Sequence, residues 1–544
     1  MVKNCKQCGI EFEITGEDLK FYEKVSVTSP TFCPDCRLQR RLSFRNENSL
    51  HKRKCSLCGE SGIFVFPEGT SHPVYCVDCW WSDKWDPLSY GRDFDFGRPF
   101  FEQFDELSRT VPRMGLYQMS NENSKYNSFL AYCKNVYMSA GSYFVEDSVF
   151  CRKSQYSKDC LNCNLVDHSE LLEGAINSSY CYGCRAIFNC RNCSSSMYLA
   201  DCVGCTDCFM CGGVIRRSHC VKNVQYTKEE YEKLVEEKLS SGHEALMKEF
   251  VEFNKTLPKK YQNQLNCENS SGDFLQNSKN ASMCFDCFKV EDSKYLFECE
   301  SVKDCMDLTT HDKNIQLSYE MSCGGEDSYM AKFGFCACDT VNSEYLFESF
   351  FVNECFGCVG LHPKTKNCIL NKQYSKEEYD ALRARIVEHM KKTGEYGEFF
   401  PTTISSFAYN ETVANDHFPL SQEEVLKNGW KWKDIDAKLF VKSDFVLPDR
   451  IEETASSVVD EILSCSCCGK NYKIIPMEFD LAKKMKVPLS KKCSNCRQKD
   501  LRVFKSARKL YARTCSKCLG EILSVYSPDS PEVVYCESCW QHAN

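Results

Sequence analysis

Cys5-Lys-Gln-Cys8-Gly9 and Cys33-Pro-Asp-Cys36-Arg37, near the start of the chain, return near its end as Cys465-Ser-Cys-Cys468-Gly469 and Cys493-Ser-Asn-Cys496-Arg497. A shift of 460 residues superimposes these cysteines, and it also superimposes a second set: Cys55, Cys58, Cys76 and Cys79 on Cys515, Cys518, Cys536 and Cys539. Because eight cysteines keep one register, we interpret residues 1–80 and 465–544 as two copies of one module.

Each copy contains four C-x2-C pairs, and tetrahedral zinc takes four thiolates at about 2.3 Å. We therefore predict two zinc sites per copy and four zinc ions per chain. Pairs adjacent in sequence are expected to share a site, although spacing alone leaves a cross-braced arrangement open. Cysteines buried as free thiols are the alternative. The predicted ligands are Cys5, Cys8, Cys33, Cys36, Cys55, Cys58, Cys76, Cys79, Cys465, Cys468, Cys493, Cys496, Cys515, Cys518, Cys536 and Cys539.

Short apolar stretches between the later cysteine pairs of each copy predict a hairpin. Its strands would be 62–66 and 73–75 in the first copy, and 522–526 and 533–535 in the second. Cys467 aligns with Gln7 and is expected to be a spectator. The fold class predicted for both ends is a zinc-ribbon or treble-clef module.

The stretch from Cys5 to Arg37, with Phe-Tyr-Glu-Lys at 21–24, resembles the small bacterial "probable zinc-ribbon" domain. The whole chain is similar to an uncharacterised family of long zinc-ribbon proteins from uncultured bacteria. The resemblance implies that Cys5, Cys8, Cys33 and Cys36 bind zinc, and it implies no activity. The C-terminal copy departs from the pattern because it lacks the Phe-Tyr-Glu-Lys stretch and the proline after Cys493.

The chain has 544 residues, 41 cysteines and a formal net charge of -8. Its first residues lack the pattern of a secretory signal, and no apolar run is long enough to span a bilayer. We therefore expect a cytoplasmic protein. In a reducing cytosol, clustered cysteines bind metal or pack as thiols more often than they form disulfides.

Between the modules, a charged residue followed by Asn or Asp recurs every twelve residues, and the series returns 145 residues later. Such recurrence predicts parallel β-solenoids, in which each coil stacks like residues on like. We assign solenoid A to 118–226 and solenoid B to 264–374, with coils of about 24 residues. The anchors are Lys134-Asn135, Glu146-Asp147, Lys158-Asp159, Lys279-Asn280, Glu291-Asp292 and Lys303-Asp304.

Helices are expected to cap both solenoids. Thr227 with Glu230 and Ser375 with Glu378 form capping-box patterns, which place helices at 227–254 and 375–393. We predict an aromatic helical cap at 81–117 that docks on solenoid A, and a helix at 451–463. The predicted order is double zinc module 1–80, cap 81–117, solenoid A 118–226, capping helix and linker 227–263, solenoid B 264–374, capping helix and connector 375–464, and double zinc module 465–544.

Twenty-four cysteines lie in the middle of the chain, several of them in C-x2-C pairs. We interpret them as a buried ladder of thiols, since no partner pair stands at a fixed spacing. Additional zinc sites and an iron-sulfur cluster are the alternatives.

No catalytic motif is visible, and closed all-cysteine sites are structural, so we predict a protein that is not an enzyme. Residues 36–54 contain seven basic residues and one acidic residue, and residues 491–517 contain ten basic residues and one acidic residue. The remainder of the chain therefore has a net charge of -23. Basic islands in an acidic chain suggest nucleic-acid binding, with RNA preferred over DNA. The candidate residues are Arg37, Arg40, Arg41, Arg45, Arg53, Arg497, Arg502, Lys505, Arg508, Lys509 and Arg513.

Two other interpretations of the basic islands remain open. The arginines could pair with the acidic remainder of the same chain on a solvated helix face. The protein could also be a scaffold for a protein partner, with purely structural zinc.

Overall fold

The computed structural model describes residues 1–311, 313–441, 443–505 and 508–542. The chain is mainly β with several helices, and it divides into two units. Unit 1 contains residues 1–116 and 263–433, and unit 2 contains 117–262 and 434–544. Each unit therefore combines one terminal module with one solenoid: the N-terminal module with solenoid B, and the C-terminal module with solenoid A.

The two terminal modules have matching elements. The N-terminal module has strands Val2–Asn4, Glu11–Glu13, His51–Lys54, Ser61–Phe64 and Val74–Tyr75, and helices Gly16–Lys24, Pro34–Leu42 and Val77–Trp80. The C-terminal module has strands Leu463–Ser464, Asn471–Tyr472, Tyr511–Thr514, Glu521–Ser524 and Val534–Tyr535, and helices Pro476–Met485, Ser494–Arg502 and Glu537–Gln541. This correspondence agrees with the duplication inferred from the cysteines.

The hairpin in each module differs from the predicted one. Ser61–Phe64 pairs antiparallel with His51–Lys54, and Glu521–Ser524 pairs with Tyr511–Thr514, so each hairpin encloses a cysteine knuckle. The later strand of each module instead pairs in parallel with a strand from outside the module. Val74–Tyr75 pairs with Arg113–Met114. Val534–Tyr535 pairs with Lys259–Lys260.

The middle of the chain forms two parallel β-solenoids, as the recurrence predicted. Solenoid A has strands Gln118–Met119, Ser128–Ala131, Lys134–Tyr137, Ala140–Tyr143, Glu146–Val149, Lys158–Leu161, Asn164–Asp167, Glu170–Glu173, Ile176–Ser179, Tyr182–Phe188, Met197–Ala200, Thr206–Gly212, Ser218–Val221 and Val224–Gln225. Solenoid B has strands Gln264–Leu265, Gly272–Gln276, Lys279–Ser282, Cys284–Lys294, Phe297–Lys303, Met306–His311, Ile315–Gln316, Tyr319–Gly324, Lys332–Val341, Glu344–Phe356, Lys366–Ile369 and Lys372–Gln373.

One coil of solenoid A contains 12 residues, so the predicted coil of about 24 was wrong. Glu146 pairs with Lys134 and with Lys158, each 12 residues away. Every third residue is left-handed, as in Tyr132, Asn135 and Met138 at φ 56, 51 and 49°. These residues turn the chain at four corners per coil, and Asn, Asp and Gly recur there because they tolerate this conformation. The solenoid has roughly nine coils and a length of about 40 Å at ~4.8 Å per coil.

Helices follow the last hairpin of each solenoid, as predicted. The helix Lys228–Leu239 begins with the Thr227 and Glu230 capping box, and the helix His243–Lys255 follows it. The helix Lys376–Thr393 begins with the Ser375 and Glu378 box. Both boxes satisfy backbone N–H groups that the first helical turn leaves without partners.

The aromatic cap packs on solenoid B and not, as predicted, on solenoid A. In the helix Phe100–Thr110, the Phe100 ring lies 5.0 Å from Tyr345, and the Phe104 ring lies 5.1 Å from Phe347. Both partners belong to the strand Glu344–Phe356, whose aromatic side chains complement those of the helix. Proximity in sequence to solenoid A therefore gave the wrong partner.

The predicted helix at 451–463 is replaced by two 3-10 turns, Ile451–Glu453 and Ser456–Asp460. Serine, threonine and β-branched residues weaken a helix there, and irregular backbone buries Ile451, Val458 and Leu463 in the core of unit 2. The remaining short elements are helices Val413–His417 and Gln422–Lys427 and 3-10 turns Pro87–Tyr90, Thr402–Ile404, Tyr409–Glu411 and Ala437–Leu439. Among the described helices, none has the length and apolar character that a bilayer crossing requires.

Candidate metal centres

Four groups of four cysteines each converge at one point. In every group the four Sγ atoms lie within 4.8 Å of one another. The groups join cysteine pairs that are adjacent in sequence, as predicted, and exclude the cross-braced arrangement. Their members are Cys5, Cys8, Cys33 and Cys36; Cys55, Cys58, Cys76 and Cys79; Cys465, Cys468, Cys493 and Cys496; and Cys515, Cys518, Cys536 and Cys539.

The sulfur spacing fits a tetrahedral metal. Four sulfurs placed tetrahedrally at about 2.3 Å from a zinc ion are about 3.8 Å apart. Cys8 Sγ lies 3.7 Å from Cys33 Sγ, and Cys468 Sγ lies 3.8 Å from Cys493 Sγ. Because a disulfide would bring two sulfurs to about 2.05 Å, the clusters have the dimensions of a metal site and not of a crosslink.

The first pair in each cluster lies on a tight backbone turn. In the first knuckle, the Gly9 N–H donates to the Cys5 carbonyl at 2.9 Å, and Gly9 has φ 74°. The fourth knuckle has the same bond, from the Leu519 N–H to the Cys515 carbonyl at 2.9 Å, although Leu519 must adopt φ 61°. The geometry is therefore retained even where a leucine replaces the glycine that this conformation favours.

The second pair in each cluster begins a helix. Cys33, Cys76, Cys493 and Cys536 are the N-cap residues of their helices, all with extended backbone. Each helix thus directs its N-terminal N–H groups and positive dipole end toward the sulfurs, which favours thiolates. Cys33-Pro-Asp-Cys36 therefore begins the helix Pro34–Leu42, which carries Arg37, Arg40 and Arg41.

Backbone N–H groups also stabilise the thiolate at the first cysteine of the second, third and fourth clusters. The Cys55 sulfur accepts from the N–H groups of Leu57 at 3.4 Å and Cys76 at 3.3 Å. Burial alone would raise the pKa of Cys55, but these N–H groups lower the pKa to about 7. Cys465 and Cys515 behave in the same way: burial alone would raise the pKa of each thiol, but backbone N–H donors lower it to about 6. A lowered thiol pKa favours metal binding.

The cysteines of the solenoids have a different role, which the 12-residue coil explains. Inward positions recur every third residue, so Cys202, Cys205, Cys208 and Cys211 face inward in succession, and all four are fully buried. The apparent C-x2-C pairs therefore arise because inward-facing positions recur every third residue of the coil. Outside the four clusters, the described part of the chain contains no group of three or more metal-ligand side chains in comparable proximity.

Inward-facing cysteine and serine side chains form hydrogen bonds with backbone N–H and carbonyl groups of the coil. The Cys151 thiol donates to the Val149 carbonyl at 3.6 Å, and the Cys151 N–H donates to Ser139 Oγ one coil away at 2.9 Å. Cys305 Sγ replaces such a hydroxyl, accepting from the Ser318 N–H at 3.3 Å. Small side chains that both donate and accept fit these positions, which supports the interpretation as buried thiols.

The first four candidate arginines lie in the interior of unit 1 and not on a solvated surface. Arg37 and Arg41 are each 1% exposed. Arg37 Nη2 lies 2.9 Å from Asp307, and Arg41 Nη1 donates to Glu320 at 2.9 Å. Arg40 is buried between Glu320 and Glu398 at 3.2 and 3.0 Å, and Arg45 pairs with Glu47.

These contacts correct the expectation that the basic helix presents its charge to phosphate. The carboxylates of Asp307 and Glu320 are fully buried and belong to solenoid B, which lies about 270 residues further along the chain. The arginines therefore pair with the acidic remainder of the chain, but in the core rather than on a solvated face. The excess of acidic residues outside the two basic islands was the sequence feature that indicated such partners.

Arg53 and Arg497 are also buried, and their contacts repeat between the modules. Arg53 donates to the Pro67 carbonyl at 2.8 Å, and Arg513 donates to the equivalent Ser527 carbonyl at 3.0 Å. Arg37 and Arg497 donate to the equivalent Phe32 and Lys492 carbonyls at 2.7 and 2.6 Å. These duplicated arginines stabilise the backbone of their modules by hydrogen bonds to carbonyl groups. Arg497 also forms an ion pair with Glu478 at 2.6 Å.

The remaining candidates lie closer to solvent. Arg502, Lys505, Arg508 and Arg513 are half-buried, and Lys509 is exposed. Lys509 lies over the Tyr511 ring at 5.4 Å. Nucleic-acid binding through these residues stays a prediction. Cys467, the expected spectator, is exposed and belongs to none of the four clusters.

No family model and no curated protein matches the sequence. Among solved structures, the chain is weakly similar to a proposed acetyltransferase from Desulfovibrio desulfuricans G20, with 8% identity, 54% of this chain and 83% of that chain covered, and a TM-score of 0.10. It is also weakly similar to UDP-N-acetylglucosamine acyltransferase from Campylobacter jejuni, with 11% identity, 53% and 92% covered, and a TM-score of 0.09. Scores this low support no argument, so the solenoid assignment rests on the observed strand register.

Proposed function

We propose that this protein is a non-catalytic scaffold in which four structural zinc ions hold the terminal modules on the solenoids. Four thiolates at tetrahedral spacing match zinc, and a cluster with no ligand other than cysteine leaves no open position for a substrate. Tetrahedral sulfur sites also bind iron, so the metal must be identified by experiment.

The observation that carries this proposal is the buried contact between the helix Pro34–Leu42 and solenoid B. Cys33 and Cys36 fix the start of the helix, and Arg37 and Arg41 follow on the face that meets Asp307 and Glu320. The first cluster therefore positions charges whose partners lie within the same unit. This use of the arginines favours a scaffold for a protein partner over a nucleic-acid-binding surface.

Elemental analysis of the purified chain should find four zinc ions per molecule. Replacing Cys33 or Cys493 with serine should lower the content to three, because each cysteine belongs to a separate cluster. Cys467→Ser is the matched control, since Cys467 is exposed and outside the clusters, and it should keep four. A metal content near zero in reduced, folded protein would contradict the assignment. A visible thiolate-to-iron charge-transfer absorption band would show that the bound metal is iron and not zinc.

The scaffold proposal predicts no strongly salt-dependent affinity for single-stranded RNA or DNA. A protein that neutralises several phosphates loses roughly a thousandfold or more in affinity between 50 and 200 mM salt. Fluorescence anisotropy with labelled oligonucleotides at both concentrations measures this quantity. The nucleic-acid function would be favoured instead if binding were steeply salt-dependent and were weakened by Lys509→Ala but not by the control Lys427→Ala. Lys427 lies in the helix Gln422–Lys427.

A further inference from the structure

One edge of solenoid A carries a row of exposed aromatic rings. The rings stack on one another along the solenoid, one per coil, with successive centroids 4.9, 5.1, 4.8 and 5.0 Å apart. The tyrosines and the phenylalanine are each 40–55% exposed, and the histidine is exposed as well. This row, the aromatic ladder, consists of Tyr132, Phe144, Tyr156, His168 and Tyr180.

The backbone of the aromatic ladder is unfavourable for large side chains. Tyr132, Phe144 and Tyr156 have φ of 56, 51 and 45°, in the left-handed region that bulky residues rarely adopt. Further along the same edge, the equivalent corners hold Asn192 and Gly204, which tolerate this conformation. Stacking of the rings offsets part of the cost, but it leaves their outer sides in water. A second surface that covers the ladder removes this apolar area from water.

A column of charged residues with alternating sign runs beside the ladder. Its members are paired along the solenoid: Glu146 with Lys134 and Lys158, and Lys158 with Glu170. The side chains of Lys134, Glu146 and Lys158 are about half exposed, and Glu170 is exposed as well. Lys158 Nζ lies 3.6 Å from Glu146, but an ion pair in water contributes little to stability. These charges can therefore pair with another molecule at little cost.

The signs in the charged column are self-complementary when the column is reversed. A two-fold axis between the coils of Glu146 and Lys158 places Glu146 opposite Lys158 of a second copy. The same axis places Lys134 opposite Glu170 of the second copy, so the reversed columns form four pairs of opposite charge. Without the reversal each residue faces its own like charge, which is destabilising. The same axis also places one aromatic ladder against the other, as an interface between identical surfaces requires.

We propose that solenoid A forms an antiparallel, two-fold symmetric dimer with a second copy of this chain through the aromatic ladder and the charged column. The rings form the apolar centre of the interface, and the four charge pairs border it. The proposal goes beyond the scaffold role and does not depend on the metal, because no cluster cysteine lies in solenoid A. Five coils span only about 20 Å, so we expect a weak dimer with a dissociation constant in the micromolar range.

Solenoid B provides an internal comparison. It has a similar charged column, in which Glu291 pairs with Lys279 and with Lys303 along the solenoid. The left-handed corners beside that column carry no rings, and the residues there are Asn277, Lys289 and Ser301. We therefore expect solenoid A, and not solenoid B, to associate.

Sedimentation velocity of the zinc-loaded full chain measures this association between about 1 and 100 µM, a range that brackets the expected dissociation constant. The chain should change from monomer to dimer over this range. One variant carries Lys134→Glu and Lys158→Glu, and another carries Glu146→Lys and Glu170→Lys. Each should stay monomeric alone, because its column has a single sign. An equimolar mixture of the two should dimerise, because an acidic column then meets a basic one.

Two further variants separate the interface from other effects. Lys279→Glu with Lys303→Glu is the matched control, because it makes the same charge change in solenoid B, and it should leave the dimer unchanged. Phe144→Asn with Tyr156→Asn removes the two central rings but introduces a residue that tolerates the left-handed corner. It should weaken dimerisation at least tenfold without lowering the melting temperature. All variants should keep the zinc content of the parent, which separates this test from that of the metal sites.

The dimer is overturned if the chain stays monomeric at every concentration, or if either single-sign variant dimerises as the parent does. Two monomeric single-sign variants that fail to associate on mixing would overturn the antiparallel arrangement. A lower melting temperature with an unchanged dimer for Phe144→Asn with Tyr156→Asn would show that the aromatic ladder only stabilises its own coils.

Discussion

Glu320→Ala is expected to lower the free energy of unfolding of unit 1 by about 3–5 kcal/mol. Glu320 is fully buried and accepts from Arg40 at 3.2 Å and from Arg41 at 2.9 Å. Its removal leaves two buried guanidinium groups short of a counter-charge, with only Glu398 and Asp307 remaining. The large cost follows because the interior cannot solvate the charges that remain.

Denaturant unfolding of the zinc-loaded protein measures this effect. Glu291→Ala is the matched control on the same solenoid, because Glu291 pairs with Lys303 at 2.8 Å while both side chains are about half exposed. That exposed pair should contribute at most about 1 kcal/mol. A loss for Glu320→Ala no larger than the loss for Glu291→Ala would show that the buried network does not hold the module on the solenoid.

Removal of the metal is expected to unfold both terminal modules and to leave both solenoids folded. The apolar cluster around the first site contains only Cys5, Cys33 and Cys36, with Phe12 and Phe32 packed against it. Such a small core cannot replace four metal-thiolate bonds, which in small zinc domains are the main source of folding free energy. The solenoids have their own continuous cores, and no metal cluster contributes to them within the described residues.

Hydrogen exchange before and after treatment with a chelator resolves the two parts of the chain. Amides at 1–45 and 465–500 should exchange roughly a hundredfold faster or more, a loss of about 3 kcal/mol of local stability. Amides at 134–221 and 272–356 should keep their protection. Modules that stay protected without metal would contradict a structural role, and simultaneous loss of the solenoids would show that the metal sites support the whole fold.

The two modules meet their solenoids through different chemistry at equivalent positions. Arg37 donates to Asp307 of solenoid B, whereas Arg497 donates to Asn162 of solenoid A and takes its carboxylate from Glu478 in its own module. On solenoid A the N-terminal module would find an amide where Arg37 needs a carboxylate. Buried charge therefore provides a physical reason for the N-terminal module to pack on solenoid B.

Apolar contacts replace the ionic ones in the C-terminal module. Leu501 stands at the position of Arg41 in the 460-residue register and is buried in the core of unit 2. The Phe504 ring stacks on Phe188 at 3.8 Å. A duplicated helix has thus acquired two modes of packing, one ionic and one apolar, while its cysteines kept the same geometry.

The cysteine spacing by itself determined the sixteen predicted ligands, because the register between the copies repeats all eight positions, whereas only the tertiary structure excluded the cross-braced arrangement of the pairs. The recurrence of Asn and Asp likewise determined the solenoids, since residues that tolerate left-handed backbone must stand at the corners. The recurrence of twelve residues equals the length of one coil. The predicted coil was twice as long because the sequence period alone does not show whether one repeat or two repeats close a coil.

Only the tertiary structure decided which way the arginines face. Arg37, Arg40, Arg41 and Arg45 share one side of their segment, and that pattern is the same whether the side meets solvent, phosphate or buried carboxylates. The partners Asp307, Glu320 and Glu398 come from 266 to 358 residues away in the sequence, and nothing local marks them as buried. The aromatic cap was assigned to the wrong solenoid for the same reason: which surface a segment meets depends on the path of the whole chain, whereas metal ligands and corner residues are set by the few residues around them.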